Sequence, residues 1–389
     1  MGNMLANNSL LDYTGDNFKK GADEMAPPIK NQLRTIRIKG FKSIKEQEIN
    51  FNRVNILIGS NGAGKSNLIS AFTLLEEIIK KRLGVYSAQR GADALLYCGR
   101  KQTPSFSMEF VFGNENSYGF ELAPTDDGRL IFAQEYYGYH ETHTTILGEG
   151  NRESEWERGV PNNITPYVLP ILKNNSWRVY HFNDTSTEAR VKQVHGVDDN
   201  IYLQNDAGNL AAFLYRLKNS FPENYQRIVE IVQMAAPYFG DFYLVPQELN
   251  QEQIRLRWTE RNKENILNAA QFSDGTLRFI CLTVLLMQPE ELRPATIIVD
   301  EPEIGLHPSA VNLFCEMVHQ SSFSSQIILS TQSADLLDNF DAEDVLVVNR
   351  EGDGSTFSRL DAQSLNLWLE DYSLGELWKK NIFGGRLAR

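Results

Sequence analysis

"GSNGAGKS", residues 59–66, decides how the rest of the chain is read. It fits G-x-x-x-x-G-K-[ST] in full. "VNILI" before it (54–58) predicts a buried strand, and "KSNLISAFTLLEEIIKKRL" after it predicts a helix. Strand, loop and helix in that order are the context such a loop requires. Gly59, Gly62 and Gly64, with Ser60, Asn61 and Ala63 between them, let backbone N–H groups turn inward on a polyphosphate. The helix N-terminus adds positive potential. Lys65 supplies a point charge for the terminal phosphates, Ser66 a hydroxyl for Mg²⁺, and Asn67 completes the nucleotide-binding set.

Two distant stretches extend this chemistry. In "TIIVDEPEIGLHP", residues 296–308, an apolar run ends in two acids. Asp300 at the strand tip would hold Mg²⁺, and Glu301 beside it could polarise an attacking water as general base. In "FSDGTLRF", residues 272–279, Ser273 and Gly275 open an apolar helix. This is a second anion-receptive helix N-terminus. Read alone, it is equally a serine-capped turn.

In chain order the motifs are GFKS (40–43), GSNGAGKS (59–66), FSDGT (272–276), VDEPEIGLHP (299–308) and STQS (330–333). Together they resemble the ABC-type ATPase heads of the RecF and SMC group. More closely, they resemble the compact bacterial ATPases of that group related to overcoming-lysogenization-defect-type and other anti-phage defence proteins. The resemblance implies an α/β head. Its core is a mixed or parallel phosphate-loop sheet, joined by an antiparallel β-subdomain and a helical insertion. It implies that Ser273, Asp274, Gly275 and Thr276 contact the γ-phosphate of ATP held by a second subunit. His307, with Gly305 and Leu306, would touch that subunit too. Phe41, Lys42 and Ser43 would lie near the base and α-phosphate. Gln134, in "IFAQEYY", matches the glutamine that joins the two lobes and reaches Mg²⁺; an exposed strand residue is the other reading. Where the group usually places a switch histidine, this chain has Gln332. Glutamine carries no proton charge but can orient water, so slow hydrolysis by Glu301, Gln332 and Lys65 is expected.

Bulk properties narrow the setting. A net charge of −12 excludes a uniformly positive surface for coating nucleic acid. Met25–Lys45, with six basic residues and no acid, and Lys379–Arg389 are the local exceptions that could meet phosphates of DNA or RNA. No apolar run is long enough to span a membrane, and three scattered cysteines suit a reducing cytoplasm. Residues 1–31 read as a disordered leader, 32–350 as the ATPase domain with an insertion at about 144–240, and 351–389 as a strand–helix extension. Residues 144–176, with Pro161, Pro166 and Pro170, read as loop. "WRVYHF" (177–182) and "FNDTS" (182–186) read as core strand plus turn with no chemistry, and His181 as a satisfied structural histidine. Trp368, Leu369, Tyr372 and Leu377 would pack on the core or dock a partner.

The expectation is an ATP·Mg²⁺-bridged pair of copies that controls a separate effector, a nuclease in anti-phage defence. An ATP-bound scaffold caging an effector and a RecF-like DNA repair ATPase are the alternatives.

Overall fold

The computed structural model describes residues 32–140, 143–158, 165–173 and 176–385. Val54–Ile58 is the third strand of a six-stranded sheet. Its order is Gly354–Arg359, Val345–Glu351, Val54–Ile58, Gln326–Thr331, Thr296–Asp300 and Trp177–Tyr180. All neighbours run parallel except the first pair, which forms an antiparallel hairpin. Parallel strands are covered on both faces, so their sequences are continuously apolar. Side chains alternate between two cores: Ile297 and Val299 enter one, Ile298 the other. Ile327 and Leu329 against Ile328 repeat the pattern one strand over.

One core is helical. It packs Leu210–Ser220, Pro222–Ala235, Asp274–Met287 and Pro308–Ser321 against the sheet. The other lies between the central sheet and a six-stranded antiparallel sheet. That sheet runs in the order Ile44–Asn50, Leu33–Phe41, Phe106–Phe112, Asn116–Pro124, Leu130–Tyr139 and His143–Gly148. The helix Lys65–Ile79 fills the space between them, with Phe72 edge-on to Phe110 at 6.0 Å.

On the outer face of the antiparallel sheet, Arg37 meets Glu48 and Glu109 at 2.8 Å each. Lys39 meets Glu46 at 3.8 Å, and Arg34 pairs with Glu115. Arg34, Arg37 and Lys39 of the basic run Met25–Lys45 are therefore matched by facing acids. In its described part the run is not a bare phosphate-binding strip.

One segment differs from the sequence expectation. Residues 144–176 are not all loop: His143–Gly148 is a sheet strand and Thr165–Lys173 is a helix. Pro166 sits in the first turn, where a proline is tolerated, and Pro170 sits inside the helix. Burial of Val168, Ile171 and Leu172 outweighs the proline penalty of about 3 kcal/mol. The core strand read in "WRVYHF" is present: Trp177–Tyr180 is the edge strand of the central sheet. His181, just after it, is exposed. At the other end of the chain, Leu377 and Trp378 are core, while Leu367 and Trp368 face outward. The leader, Pro161, Arg386 and Arg389 lie outside the described residues.

Gln326 ties the sheets together. Its buried amide donates to the carbonyls of Leu33 (2.8 Å) and Asn52 (2.9 Å) and accepts from Thr296 Oγ1 (3.1 Å). Gln326→Leu is expected to destabilise by about 1–3 kcal/mol, because the buried Thr296 hydroxyl and two carbonyls lose their bonds to its amide. Urea unfolding should show the midpoint falling at constant slope. An unchanged midpoint would remove this residue from the link.

Candidate nucleotide site

The parallel register sets the site. Ile58 lies opposite Thr331, and Ser330 lies opposite Asp300. Gly59, Gln332 and Glu301 therefore leave the sheet side by side at its carboxyl edge, where open α/β sheets place ligand crevices. Gly59–Gly64 forms the connection, and the helix starts at Lys65.

The loop's shape needs its glycines. Gly64 has φ 121°, and a Cβ there would come 2.1 Å from Ser355 Oγ. Ser355 Oγ donates to Ala63 O (2.6 Å) and is 2.7 Å from Ser43 Oγ. Asn67 Nδ2 donates to Ser43 Oγ at 2.6 Å. The Ser60 N–H donates to Gly385 O at 2.6 Å. Ser43, Asn67, Ser355 and Gly385 thus brace the loop from three distant parts of the chain. Asn61 and Gly62 are exposed at its tip.

Lys65 is buried and donates to Gly59 O (2.5 Å) and Ser60 O (3.2 Å). Burial lowers its pKa; Glu301, Asp300 and Glu303 oppose that shift. The loop lysine and the acidic pair are therefore within electrostatic reach of each other. Ser66 is on the exposed side of the first helical turn.

Glu301 stands at φ 48°, a conformation uncommon for a residue with a side chain. Its N–H donates to Ser330 O at 2.8 Å. Its carboxylate accepts a hydrogen bond from the Gln332 side-chain amide. Glu301 and Gln332 are thus joined directly. Ser330 Oγ, beside Asp300, is buried and has no hydrogen-bond partner among the described residues.

A cleft of about 690 Å³ adjoins the loop. Lys42, Ser43, Asn67, Arg90, Arg350 and Asp353 are among its lining residues. Lys42 Nζ donates to Ser70 Oγ at 2.7 Å. Burial, and then nearby Arg90, lower the Lys42 pKa to about 8. Phe41 is fully buried beneath, 5.2 Å from Phe106.

Ser273 caps the helix Asp274–Met287, accepting from the Thr276 N–H at 3.2 Å. Ser273 and Asp274 are exposed. Gly275 packs on the loop after the acidic pair, where a Cβ would meet Gly305 O at 2.2 Å. Arg278, one turn on, is buried. It donates to the carbonyls of Phe182 (3.0 Å), Asn183 (3.2 Å) and Ile304. His307 is exposed and caps the next helix, its Nδ1 accepting from the Ser309 N–H at 3.3 Å.

Gln134 is not part of this assembly. A bulge between Glu121 and Leu122 shifts the pairing of its strand. Phe132 and Glu135 turn inward, and Gln134 turns out to a separate groove with Arg37, Glu48 and Tyr136. The loop helix packs on the opposite face. Gln134 therefore lies apart from Ser66 and Asp300, the other residues expected at Mg²⁺. The strand expected in "WRVYHF" is present as Trp177–Tyr180, but sequence reasoning gave the segment after it no place at the site. Tyr180 pairs with Val299, so "HFNDT" emerges beside Asp300. Arg278 was findable, as a lone charge in the apolar run "LRFICLTVLLM".

Comparisons with known proteins bear on the family and the fold. A family model described as "AAA domain, putative AbiEii toxin, Type IV TA system" matches residues 54–338. The Old nuclease of Escherichia phage P2 is 24% identical over 362 residues, covering 83% of this chain and 60% of that protein. The DNA replication and repair protein RecF of Gloeothece citriformis (strain PCC 7424) is 36% identical over 52 residues, 13% of this chain and 14% of RecF. The chain thus spans less than two thirds of either relative. An SMC head solved bound to the C-winged helix domain of ScpA superposes with a TM-score of 0.59. It is 16% identical and covers 88% of this chain and 100% of that one. The fold is that of a RecF/SMC-like ABC-type ATPase head. The chain belongs to the family described as AAA domain, putative AbiEii toxin, Type IV TA system.

Proposed function

We propose that this chain binds ATP·Mg²⁺ and hydrolyses it slowly. The observation that carries this is the convergence of Lys65, Glu301 and Gln332 at one sheet edge. Glu301 takes the proton of the attacking water. Gln332, whose amide N–H₂ is turned to Glu301, offers its carbonyl oxygen to the same water. A water placed between two acceptors presents its lone pair to the γ-phosphorus. Lys65 balances charge on the phosphate oxygens. The cleft lined by Lys42, Arg90 and Arg350 takes the base, ribose and α-phosphate.

Ser66 and Asp300 would hold the metal. Both offer hard oxygen ligands, and Mg²⁺ is usually bound by one or two carboxylates plus phosphate oxygens. Among the described residues no cluster of three or more His, Cys, Asp or Glu could hold a metal alone, which suits an ion brought in with the nucleotide. The ion would neutralise charge developing on the phosphates.

The exposed Ser273–Asp274 edge supports a site completed by a second copy. In this reading Ser273, Gly275 and Thr276 of one copy face the γ-phosphate held by the other, with His307 at the rim. The biological output is control of a separate effector in anti-phage defence. Likeness to the Old nuclease over most of this chain supports an effector that acts on nucleic acid. Direct coating of DNA is disfavoured, since acids face much of the basic run. Among the described residues no helix is long and apolar enough to cross a membrane, which is compatible with a cytoplasmic site of action.

Phosphate release under steady state tests this reading. Wild type should turn over slowly but above background. Glu301→Gln should lose about 100-fold or more, the usual contribution of a general base. Gln332→Ala should lose about 10-fold or more with ATP affinity unchanged. Full turnover in Glu301→Gln would overturn the assignment.

ATP affinity should also depend on pH. With its pKa near 8, Lys42 loses its charge as pH rises. A bound phosphate favours the charged form, so binding takes up a proton and weakens from about pH 7 to about pH 9. Fluorescent-nucleotide titrations should show that fall, and Lys42→Arg should flatten it. A flat wild-type profile would separate Lys42 from the nucleotide.

A further inference from the structure

The mechanism above leaves one carboxylate unused. Glu303 lies two residues after Glu301 on the same turn. Its Oε1 accepts from Thr331 Oγ1 at 2.6 Å and from the Gln332 backbone N–H at 3.1 Å. Its Oε2 is buried and meets no hydrogen-bond partner among the described residues. Thr331 Oγ1 in turn accepts from the Ser333 N–H at 2.9 Å, and Ser333 Oγ accepts from the Leu336 N–H at 3.1 Å. Glu303 therefore holds the start of the turn out of the switch strand through Thr331 and Gln332.

Gln332 is held at both ends by acids: its main chain by Glu303, its side chain by Glu301. An acid is an expensive way to accept two hydrogen bonds in a buried place, because the charged form loses its hydration. Burial does push the Glu303 carboxyl above the usual range, against the pull of Thr331 and Gln332. Leaving one oxygen without a partner adds to that cost. Such a group is retained where the geometry it fixes matters. What it fixes here is the direction in which residue 332 leaves the strand.

We propose that Glu303 is a positioning residue of the hydrolytic site. It fixes the main chain of Gln332 so that the glutamine amide meets Glu301 and the two share one water. This rests on the ATPase reading given above. Glu303 itself touches neither nucleotide nor water in this role; it acts through Gln332.

A double-mutant cycle tests the proposal, with turnover and ATP affinity measured for each form. Glu303→Ala should lower kcat about 10-fold with ATP affinity within about twofold of wild type. Glu303→Gln keeps an acceptor and should recover most of that loss. Glu303→Ala combined with Gln332→Ala should be no slower than Gln332→Ala alone, because residues acting as a unit are not additive. Wild-type kcat in Glu303→Ala, or losses that multiply in the double mutant, would overturn the proposal. If Glu303→Ala does not fold, Glu303→Asp withdraws the carboxylate by one methylene and should lower kcat in the same way. A crystal structure of the folded variant gives a readout independent of turnover. Gln332 should have left Glu301, and an intact contact would contradict the proposal. Absence of turnover in wild type would sink the ATPase reading alone; the crystallographic result would still decide the role of Glu303.

Discussion

The parallel register of three strands is the constraint on which the rest depends. Ile58 stands opposite Thr331, and Asp300 stands opposite Ser330. A slip of one residue would exchange the two cores, since Ile297, Val299, Ile327 and Leu329 face one side and Ile298 and Ile328 the other. Burial on both faces therefore locks the register. The register in turn places the phosphate loop, the acidic pair and the switch glutamine on one edge. The chemistry is held by apolar residues that take no part in it.

A second junction links that edge to the exposed helix start at Ser273. Gly275 lies against Gly305, and Arg278 reaches three carbonyls in two loops. One of those loops follows Glu301; the other leaves the strand beside Asp300. The helix that would meet a second copy is thus tied by a buried guanidinium to the turn that carries this copy's own acids. Small residues at 275 and 305 permit the close approach. Displacing the helix would move both loops together, a physical route by which association and hydrolysis can inform each other.

Much of this was legible in the sequence because its signals are local. A glycine loop between an apolar strand and a helix, or an apolar run ending in paired acids, can be read within a dozen residues. The α/β fold was implied by the family resemblance that those motifs carry together. What was not legible depended on pairing at a distance. Motif likeness offers Gln134 for the metal, with an exposed strand residue as the other reading; a bulge turns it outward and buries Glu135 instead. Thr165–Lys173 looked like loop because its prolines speak against a helix, while its buried face speaks for one only after the sheet is built. Ser355 braces the phosphate loop from residues far along the chain, and nothing near it in sequence marks that role. The "HFNDT" segment gained its place only when its strand joined the sheet edge.

The central claim is that the nucleotide site is completed by another copy, with the γ-phosphate as the bridge. The mass in solution of the Glu301→Gln form, measured by light scattering with ATP and Mg²⁺ and again with ADP, tests it most directly. The account predicts at least twice the chain mass with ATP and a return toward the monomer with ADP, reversed by replacing Ser273 with a bulky acid. A form that binds ATP tightly yet stays monomeric would contradict it.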